Sequence, residues 1–347
     1  ICLHLSMMVF GNVWIPEETI NYLKTSINKA TLHGRKNKSM RILITGASGL
    51  LGGRLADHLY HQKKYTLTML SRNAEEHDCL KNYGSVININ WEDQNQLNNT
   101  LKNIDVVIHA FGPSAQQCSS DPINQISLYK KYTQNLLKAI KSNKISKVIL
   151  LSSIHVYSEN PEGDIDEESS LTNNHPYALS KIAVEDLFNK YPRSDTKLYI
   201  LRLSNCYGYP ITKSENCWNL FVNNICKMSI NNDSLIINNN PYDKRDFLPI
   251  SFFCEVISQI IKNNKIKNGL YNLTSGETTE LIEFSNYIKN IINKTYNKLL
   301  QIKYDKNYKK TGLFNLSNNK ILSQLPEITI NHEEEVKQLY KYCKDKF

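Results

Sequence analysis

Residues 40–151 alternate between two patterns. Short runs at 41–44, 65–70, 84–89, 105–110 and 147–151 are apolar almost throughout, and longer segments between them return an apolar side chain every three or four positions. The first kind predicts strands buried on both faces, and the second predicts helices that cover them. Leu50, Leu51, Leu55 and Leu59 mark one such helix, and a longer one spans about 122–142. Strand and helix in strict alternation imply a doubly wound parallel sheet with right-handed crossovers, an α/β fold.

Beyond residue 206 the chain is more polar and richer in asparagine. Helical spacing reappears near 218–228, 252–262, 279–293 and 333–342, with a short strand near 235–237. Asn231-Asn232 and 238–240 read as turns, and the lysines of 303–310 as a solvated face. Residues 1–39 stand apart. An apolar patch at 7–14 precedes Pro16-Glu17-Glu18 and then Ile20, Leu23 and Ile27, which predicts one amphipathic helix. This extension carries no basic segment before its apolar patch, so it does not read as a secretory signal, and no function is assigned to it.

The first strand runs into Gly46-Ala47-Ser48-Gly49-Leu50-Leu51-Gly52 and then directly into a helix. Glycine suits a turn that needs positive φ or close approach to a ligand, and a helix N-terminus offers unpaired N–H groups to an anion. Gly46, Ser48, Gly49, Leu50, Leu51 and Gly52 are therefore candidates to cradle a pyrophosphate. The second strand ends in Ser71-Arg72-Asn73, with Arg72 20 positions beyond Gly52. In a dinucleotide site a carboxylate there accepts from a ribose hydroxyl, whereas arginine accommodates a 2′-phosphate. Arg72 thus favours NADP over NAD, the alternative being a solvated strand-end residue. Asn90 and Trp91 follow the third strand, where an adenine is contacted. Ala110, Phe111 and Gly112 follow the fourth, beside the glycine turn.

The fifth strand ends in Ser152-Ser153-Ile154-His155-Val156-Tyr157, and Tyr177-Ala178-Leu179-Ser180-Lys181 follows behind Pro176. The i, i+4 spacing puts the Tyr177 hydroxyl and the Lys181 ammonium on one helical face. A tyrosine with a pKa near ~10 is a poor base at neutral pH, and a nearby cation is expected to bring it toward the working range. Ser153 is positioned to hold the oxygen whose proton Tyr177 moves.

These stretches, with 105–110, 201–208, 245–250 and 269–277, resemble in order and spacing the extended short-chain dehydrogenase/reductases, in particular the NAD(P)-dependent sugar epimerase/dehydratase branch. The resemblance covers about residues 40–340. It implies a Rossmann domain at 40–205 and a smaller C-terminal α/β substrate-binding region at 206–347, with a segment near 245–262 returning to the Rossmann domain. It also implies that Ser153, Tyr177 and Lys181 are catalytic, with Tyr177 and Lys181 touching the cofactor as well. Ser153, Asn205 and Arg245 would hold a nucleotide-linked sugar. Without the resemblance, Asn205 reads as a loop residue and Arg245 as a surface ion pair with Asp246.

Three departures narrow the reaction. Sugar 4,6-dehydratases of the family carry an Asp-Glu pair where this chain has Ile154-His155, so dehydration is disfavoured. His155 reads either as a substrate contact or as a packed or solvent-facing side chain. Tyr129 stands where the family's frequent asparagine is, and Asn90 where an acidic residue contacts adenine. The expected chemistry is hydride transfer at a sugar carbon, as a 4-epimerase or as a 4-ketoreductase consuming NADPH. Such enzymes serve polysaccharide biosynthesis, and the family's usual dimer makes a homodimer the expected assembly. The alternative is a cofactor-binding regulator or RNA-associated protein of the same fold.

Composition changes this picture little. The 347 residues, 41% of them hydrophobic, are enough for a large core, and no stretch reaches the length of a membrane span. The net charge of +9 comes from scattered lysines, which reads first as an AT-rich coding bias rather than a nucleic-acid surface, and a basic cleft would also suit an anionic small substrate. The eight cysteines show no regular spacing and read as reduced thiols in a cytoplasmic protein, and no metal motif emerges.

Overall fold

The computed structural model describes residues 39–347, apart from 193–195, 214 and 311. The amphipathic helix expected near the N-terminus lies outside the described residues. In chain order the elements are β1 (Met40–Thr45), α1 (Leu50–His61), β2 (Tyr65–Ser71), β3 (Ser85–Asn88), α2 (Gln94–Thr100), β4 (Val106–His109), α3 (Ala115–Ser120), α4 (Pro122–Asn143), β5 (Lys147–Ser153), β6 (Gly163–Ile165), α5 (Pro176–Asn189) and β7 (Lys197–Leu203). There follow β8 (Asn205–Tyr207), α6 (Phe221–Asn231), β9 (Ser234–Ile237), β10 (Lys244–Pro249), α7 (Ile250–Lys262), β11 (Gly269–Leu273), β12 (Thr278–Glu280), α8 (Leu281–Tyr296), β13 (Gln301–Tyr304), β14 (Phe314–Leu316), α9 (Asn319–Leu322) and α10 (His332–Lys346).

Seven parallel strands form one sheet in the order β11-β7-β5-β4-β1-β2-β3. Its faces follow the period-two alternation of side chains. Ile42, Ile44, Val106, Ile108 and Ile149 pack with residues of α1 and α7. Leu43, Val107, Val148 and Leu150 point the other way, onto α2, α4 and α5. Both faces are covered, which is why these strands are apolar at nearly every position. Strand order reverses between β1 and β4, and in such a sheet ligands bind in the crevice at the carboxyl ends on either side of that point.

Helix α7 is the most apolar of the covering helices, with Phe252, Phe253, Val256, Ile257, Ile260 and Ile261 all buried. Its last carbonyls need donors. Buried Lys147 supplies them, its Nζ lying 2.8 Å and 2.7 Å from the oxygens of Ile260 and Ile261. Burial pulls this ammonium down to about 8.

A smaller α/β portion gathers around Tyr207, Trp218, Val222, Phe247, Phe284, Ile288, Val336 and Leu339. It contains β12-β10-β8 and β13-β9, and a further pair, β14-β6, lies along the chain's other excursion. A buried ion pair between Arg54 of α1 and Glu335 of α10, at 3.2 Å, ties the last helix to the first. The Arg54 guanidinium also stacks 3.8 Å from the Tyr209 ring centre.

Boundaries moved where side chains overrode periodicity. The long helix expected at 122–142 is preceded by a separate one, α3, because Ser114 and Gln117 form a capping box that starts a new helix. The helix expected from 218 begins at Phe221, with Trp218 in a preceding tight turn. A short helical segment at Ala74–Asn82, kinked at His77, was not legible as a period.

Candidate active site

One cavity of about 900 Å³ opens along the carboxyl edge of the sheet. Its floor is the glycine turn. Gly46 has φ of +68°, and a Cβ there would lie 2.7 Å from the Phe111 backbone nitrogen. A Cβ on Gly52 would collide with the Gly46 carbonyl oxygen. These two positions need glycine, one for conformation and space and the other for space alone. Gly49 caps α1 without a side-chain bond, and Ser48, Gly49, Leu50 and Leu51 line the cavity at that helix's N-terminus. A diphosphate fits such a cradle.

Under the floor, Thr45, His109 and Thr133 lock β1, β4 and α4 together. The His109 ring bonds the Thr45 hydroxyl at 2.9 Å and the Thr133 hydroxyl at 3.0 Å, and burial holds it down to about 3, hence neutral. The Thr45 hydroxyl also accepts from the Phe111 N–H at 3.2 Å, which brings Ala110, Phe111 and Gly112 against the turn.

Arg72 and Ser71 line the same cavity at the end of β2, and Arg72 lies 5.7 Å from the Phe111 ring. A smaller recess of about 360 Å³ opens beside them, bounded by Ser48, Ser71, Arg72, Asn73 and His77. His77 was not anticipated, since only the kinked segment after β2 brings it there. Trp91 reaches the cavity wall, buried and stacked on Phe111 at 5.1 Å and on Tyr132 at 6.0 Å. Asn90 stands outside the cavity-lining set. Its side chain accepts from the Glu92 N–H at 3.0 Å and its N–H donates to Gln96 at 2.7 Å, so local turn bonding takes its polar groups.

Ser153, Tyr177 and Lys181 meet on the opposite wall. Pro176 occupies the first helical position of α5, and His175 caps it by accepting the Tyr177 N–H at 3.2 Å. Ser153 acts on Tyr177 by drawing its hydroxyl pKa down. Lys181 Nζ lies 5.5 Å from the Tyr177 ring centre, 5.4 Å from that of Tyr129, and 3.4 Å from the Leu151 oxygen that accepts from it. Glu185, one turn past Lys181, fixes this helix to the sheet. It accepts from Ser152 at 2.5 Å and from Arg202 at 2.7 Å and 3.1 Å.

The proton balance differs from expectation. Lys181 does not hold Tyr177 below its ordinary value. Burial pushes Tyr177 up to about 12, with Ser153 pulling the other way, and burial brings Lys181 down to about 8. Desolvation is the largest cause of both shifts. Tyr177 is therefore a neutral phenol at pH 7, a proton donor. Tyr129 is buried with its hydroxyl unpartnered, and its ring faces the lysine where a smaller polar side chain would leave room.

Asn205 and Arg245 line the far end. Asn205 Nδ2 donates to the Asp246 carbonyl oxygen at 2.9 Å. Arg245 does not pair with Asp246. Its ion-pair partner is Asp243 at 3.8 Å, its Nη1 donates to the Lys244 carbonyl oxygen at 2.9 Å, and its side chain is 40% exposed at the cavity edge. Asp246 is fully buried and accepts instead from Ser204, Ser275 and Gly276. Gln117, Glu159, Asn173 and His175 also line the cavity and had no motif to announce them, and Cys206, within the 201–208 stretch, lines it as well.

Cys118, Cys226, Cys254 and Cys343 are small buried side chains, Cys79 is exposed, and no disulfide joins the described cysteines. Among the described residues no helix is long and apolar enough to cross a membrane.

Known proteins are similar to this chain in sequence and in fold. The chain is 24% identical over 268 residues to the uncharacterized UDP-glucose epimerase YtcB of Bacillus subtilis, a match covering 73% of this chain and 82% of that one. It is 26% identical over 280 residues to a dTDP-D-glucose 4,6-dehydratase of Dictyostelium discoideum, covering 72% of this chain and 62% of the relative. Among solved structures, the UDP-N-acetylglucosamine 4-epimerase from Methanobrevibacter ruminantium in complex with UDP-N-acetylmuramic acid superposes with a TM-score of 0.74 at 22% identity, over 89% of this chain and 100% of that one. The UDP-glucuronic acid 4-epimerase from Bacillus cereus, in complex with UDP-glucuronic acid and NAD, gives 0.72 at 21% identity, over 89% and 100%. Residues 42–274 match the family model, and the chain belongs to the NAD dependent epimerase/dehydratase family.

Proposed function

We propose that this protein transfers a hydride at the C4 carbon of a nucleotide-linked sugar, working with NADP(H) and in the direction of ketone reduction. The observation that carries this reading is the meeting of Ser153, neutral Tyr177 and Lys181 on one cavity that also holds the glycine turn and Arg72. When bound, the nicotinamide cofactor supplies the hydride, and the protein supplies position and electrostatics.

The glycine turn and the α1 N-terminus would hold the diphosphate, and Lys181 the nicotinamide-side ribose. Arg72 with Ser71, Asn73 and His77 bounds a recess of the size and charge for a 2′-phosphate, which supports NADP over NAD. Trp91, Ala110, Phe111 and Gly112 would pack along the cofactor. Tyr177 gives its proton to the sugar oxygen, and Ser153 hydrogen-bonds and orients that oxygen. Asn205 and Arg245 would bind the sugar and the nucleotide diphosphate, arginine's planar fork suiting phosphate oxygens.

On this reading residues 40–205 serve the cofactor and 206–347 the substrate, with 245–262 returning to the first part. A 4-epimerase uses the same groups in both directions, and the names of the relatives favour it as the second reading. Exposed Ile123, Leu128 and Leu179 on α4 and α5 support a homodimer.

The test is an absorbance assay with NADPH and NADH in parallel against nucleotide-linked 4-keto sugars, with matching nucleotide sugars screened for isomerisation. Stoichiometric NADPH consumption supports the reductase. Isomer turnover without net cofactor change means an epimerase, and cofactor binding with neither activity contradicts both.

A further inference from the structure

The cavity occupies the carboxyl edge of the large sheet. Because all seven strands run parallel, their amino ends meet the opposite edge, where each connection from a helix back into a strand also lies. These connections include 62–64 before β2, 101–105 before β4, 144–146 before β5, 190–196 before β7 and 263–268 before β11. Every one carries lysine: Lys63, Lys102, Lys144, Lys190, and Lys265 with Lys267, all exposed and none in an ion pair among the described residues. The single carboxylate among the described residues of these connections is Asp105. Arg41 engages it, through its guanidinium at 3.8 Å and its backbone N–H at 2.8 Å. Lysines that look scattered along the sequence are gathered by the topology onto one edge.

A helix C-terminus favours a nearby cation, which is reason enough for one lysine at each helix end. It is no reason for Lys265 and Lys267, which lie beyond the end of α7, or for the backbone at Lys63 and Lys144. Those two residues take φ of +51° and +52°, a left-handed conformation that glycine or asparagine adopts with less strain. Behind the row, Lys197 adds to burial in holding the Lys147 ammonium down. Like charge is concentrated here against its own repulsion, and an anionic partner would relieve it.

The shape of the row selects that partner. It extends across the neighbouring strands β11-β7-β5-β4-β1-β2, roughly 24 Å at about 4.8 Å per strand. Its connections are three to seven residues long, so none projects far beyond the strand ends. Its unpaired cations are lysines, compact charges on flexible stems, rather than arginines whose planar fork reads single phosphates. Unstacked bases would ask for exposed rings beside the lysines, and the one aromatic among the described residues of these connections, Tyr191, packs against the core.

We propose that the amino edge of the sheet is a peripheral membrane surface, which binds a bilayer rich in anionic phospholipid through these lysines and leaves the active-site cavity facing away from it. The inference is independent of the function proposed above and holds whatever sugar the cavity takes.

The experiment co-sediments the full chain with vesicles of phosphatidylcholine alone, or with about one third phosphatidylglycerol, at low salt and at about 0.5 M salt. The wild type is expected to partition onto the anionic vesicles about a hundredfold more strongly than onto the neutral ones, and to come off at high salt. In an edge variant Lys102, Lys190, Lys265 and Lys267 are changed to glutamate, which leaves the two lysines at positive φ in place. In a control variant of equal charge the changes fall on Lys294, Lys303, Lys341 and Lys344, exposed on α8, β13 and α10. Each lysine near an anionic bilayer strengthens binding about fivefold, so the edge variant should lose about a hundredfold and the control little. Melting temperatures are measured for both, and an edge variant with glutamine at the same four positions should show a smaller loss in the same direction. Absence of binding to either vesicle, equal binding to both, or equal losses from the edge and control variants overturns the inference. So does an edge variant that loses binding to a single-stranded RNA oligonucleotide while keeping the anionic vesicles, which would make the partner a nucleic acid.

Discussion

The two ends of the cavity are built differently. At the glycine turn and the Ser153–Tyr177–Lys181 wall, the groups stand on the turn after β1, the end of β5 and the first turns of α5, with Ser153 and Lys181 buried and α5 fixed to the sheet by the bonds of Glu185 to Ser152 and Arg202. At the far end, Asn205 and Arg245 come from the chain's later segments, and the Arg245 side chain is 40% exposed, with a long contact to Asp243 and a bond to the Lys244 carbonyl. The first end is rigid before any ligand arrives; the second has side chains that can adjust to one. A site of this kind keeps its chemistry constant and varies its substrate, and the expected effects of mutation fall in that order.

The largest effect belongs to Tyr177. Tyr177→Phe removes the proton donor, and turnover should fall about a thousandfold while NADPH affinity, read by nicotinamide fluorescence, changes little. Gly46→Ala comes next. It asks for a side chain at φ of +68° and 2.7 Å from the Phe111 nitrogen, so cofactor affinity should drop by roughly tenfold or more, with about 1–3 kcal/mol of strain seen in denaturant unfolding. Arg72→Ala should lower the preference for NADPH over NADH by roughly tenfold to a hundredfold, the worth of a charge-assisted bond to phosphate, measured as the ratio of kcat/KM values. Arg245→Ala should be the mildest, raising KM for the nucleotide sugar about tenfold with kcat nearly intact, because its side chain is 40% exposed and its contact with Asp243 is long. Equal losses from Tyr177→Phe and Arg245→Ala would erase the contrast between the two ends.

The same contrast governs what the sequence disclosed. The glycine turn, the strand-end serine and the tyrosine-lysine pair are each encoded within a few consecutive residues, so spacing and apolar pattern are enough to read them. His77 and Gln117 reach the site through a kinked turn and a capped short helix, which depend on side-chain bonds that periodicity does not register. Asp246 looked like a partner for Arg245 because the two are adjacent. Their side chains alternate across β10, one to a buried cluster of hydroxyl and amide donors and the other to the cavity edge. The proton state of Tyr177 has a further source: spacing places Lys181 nearby but does not encode the burial that dominates both groups.

Hydride transfer to a sugar carbon from a nicotinamide cofactor is followed by incubating the protein with a nucleotide-linked 4-keto sugar and NADPH deuterated at the nicotinamide C4 position, one stereoisomer at a time. A single deuterium at sugar C4 is expected, delivered from one of the two stereoisomers and greatly reduced in Tyr177→Phe. A protein that binds NADPH yet leaves no deuterium on any sugar of the panel would contradict it.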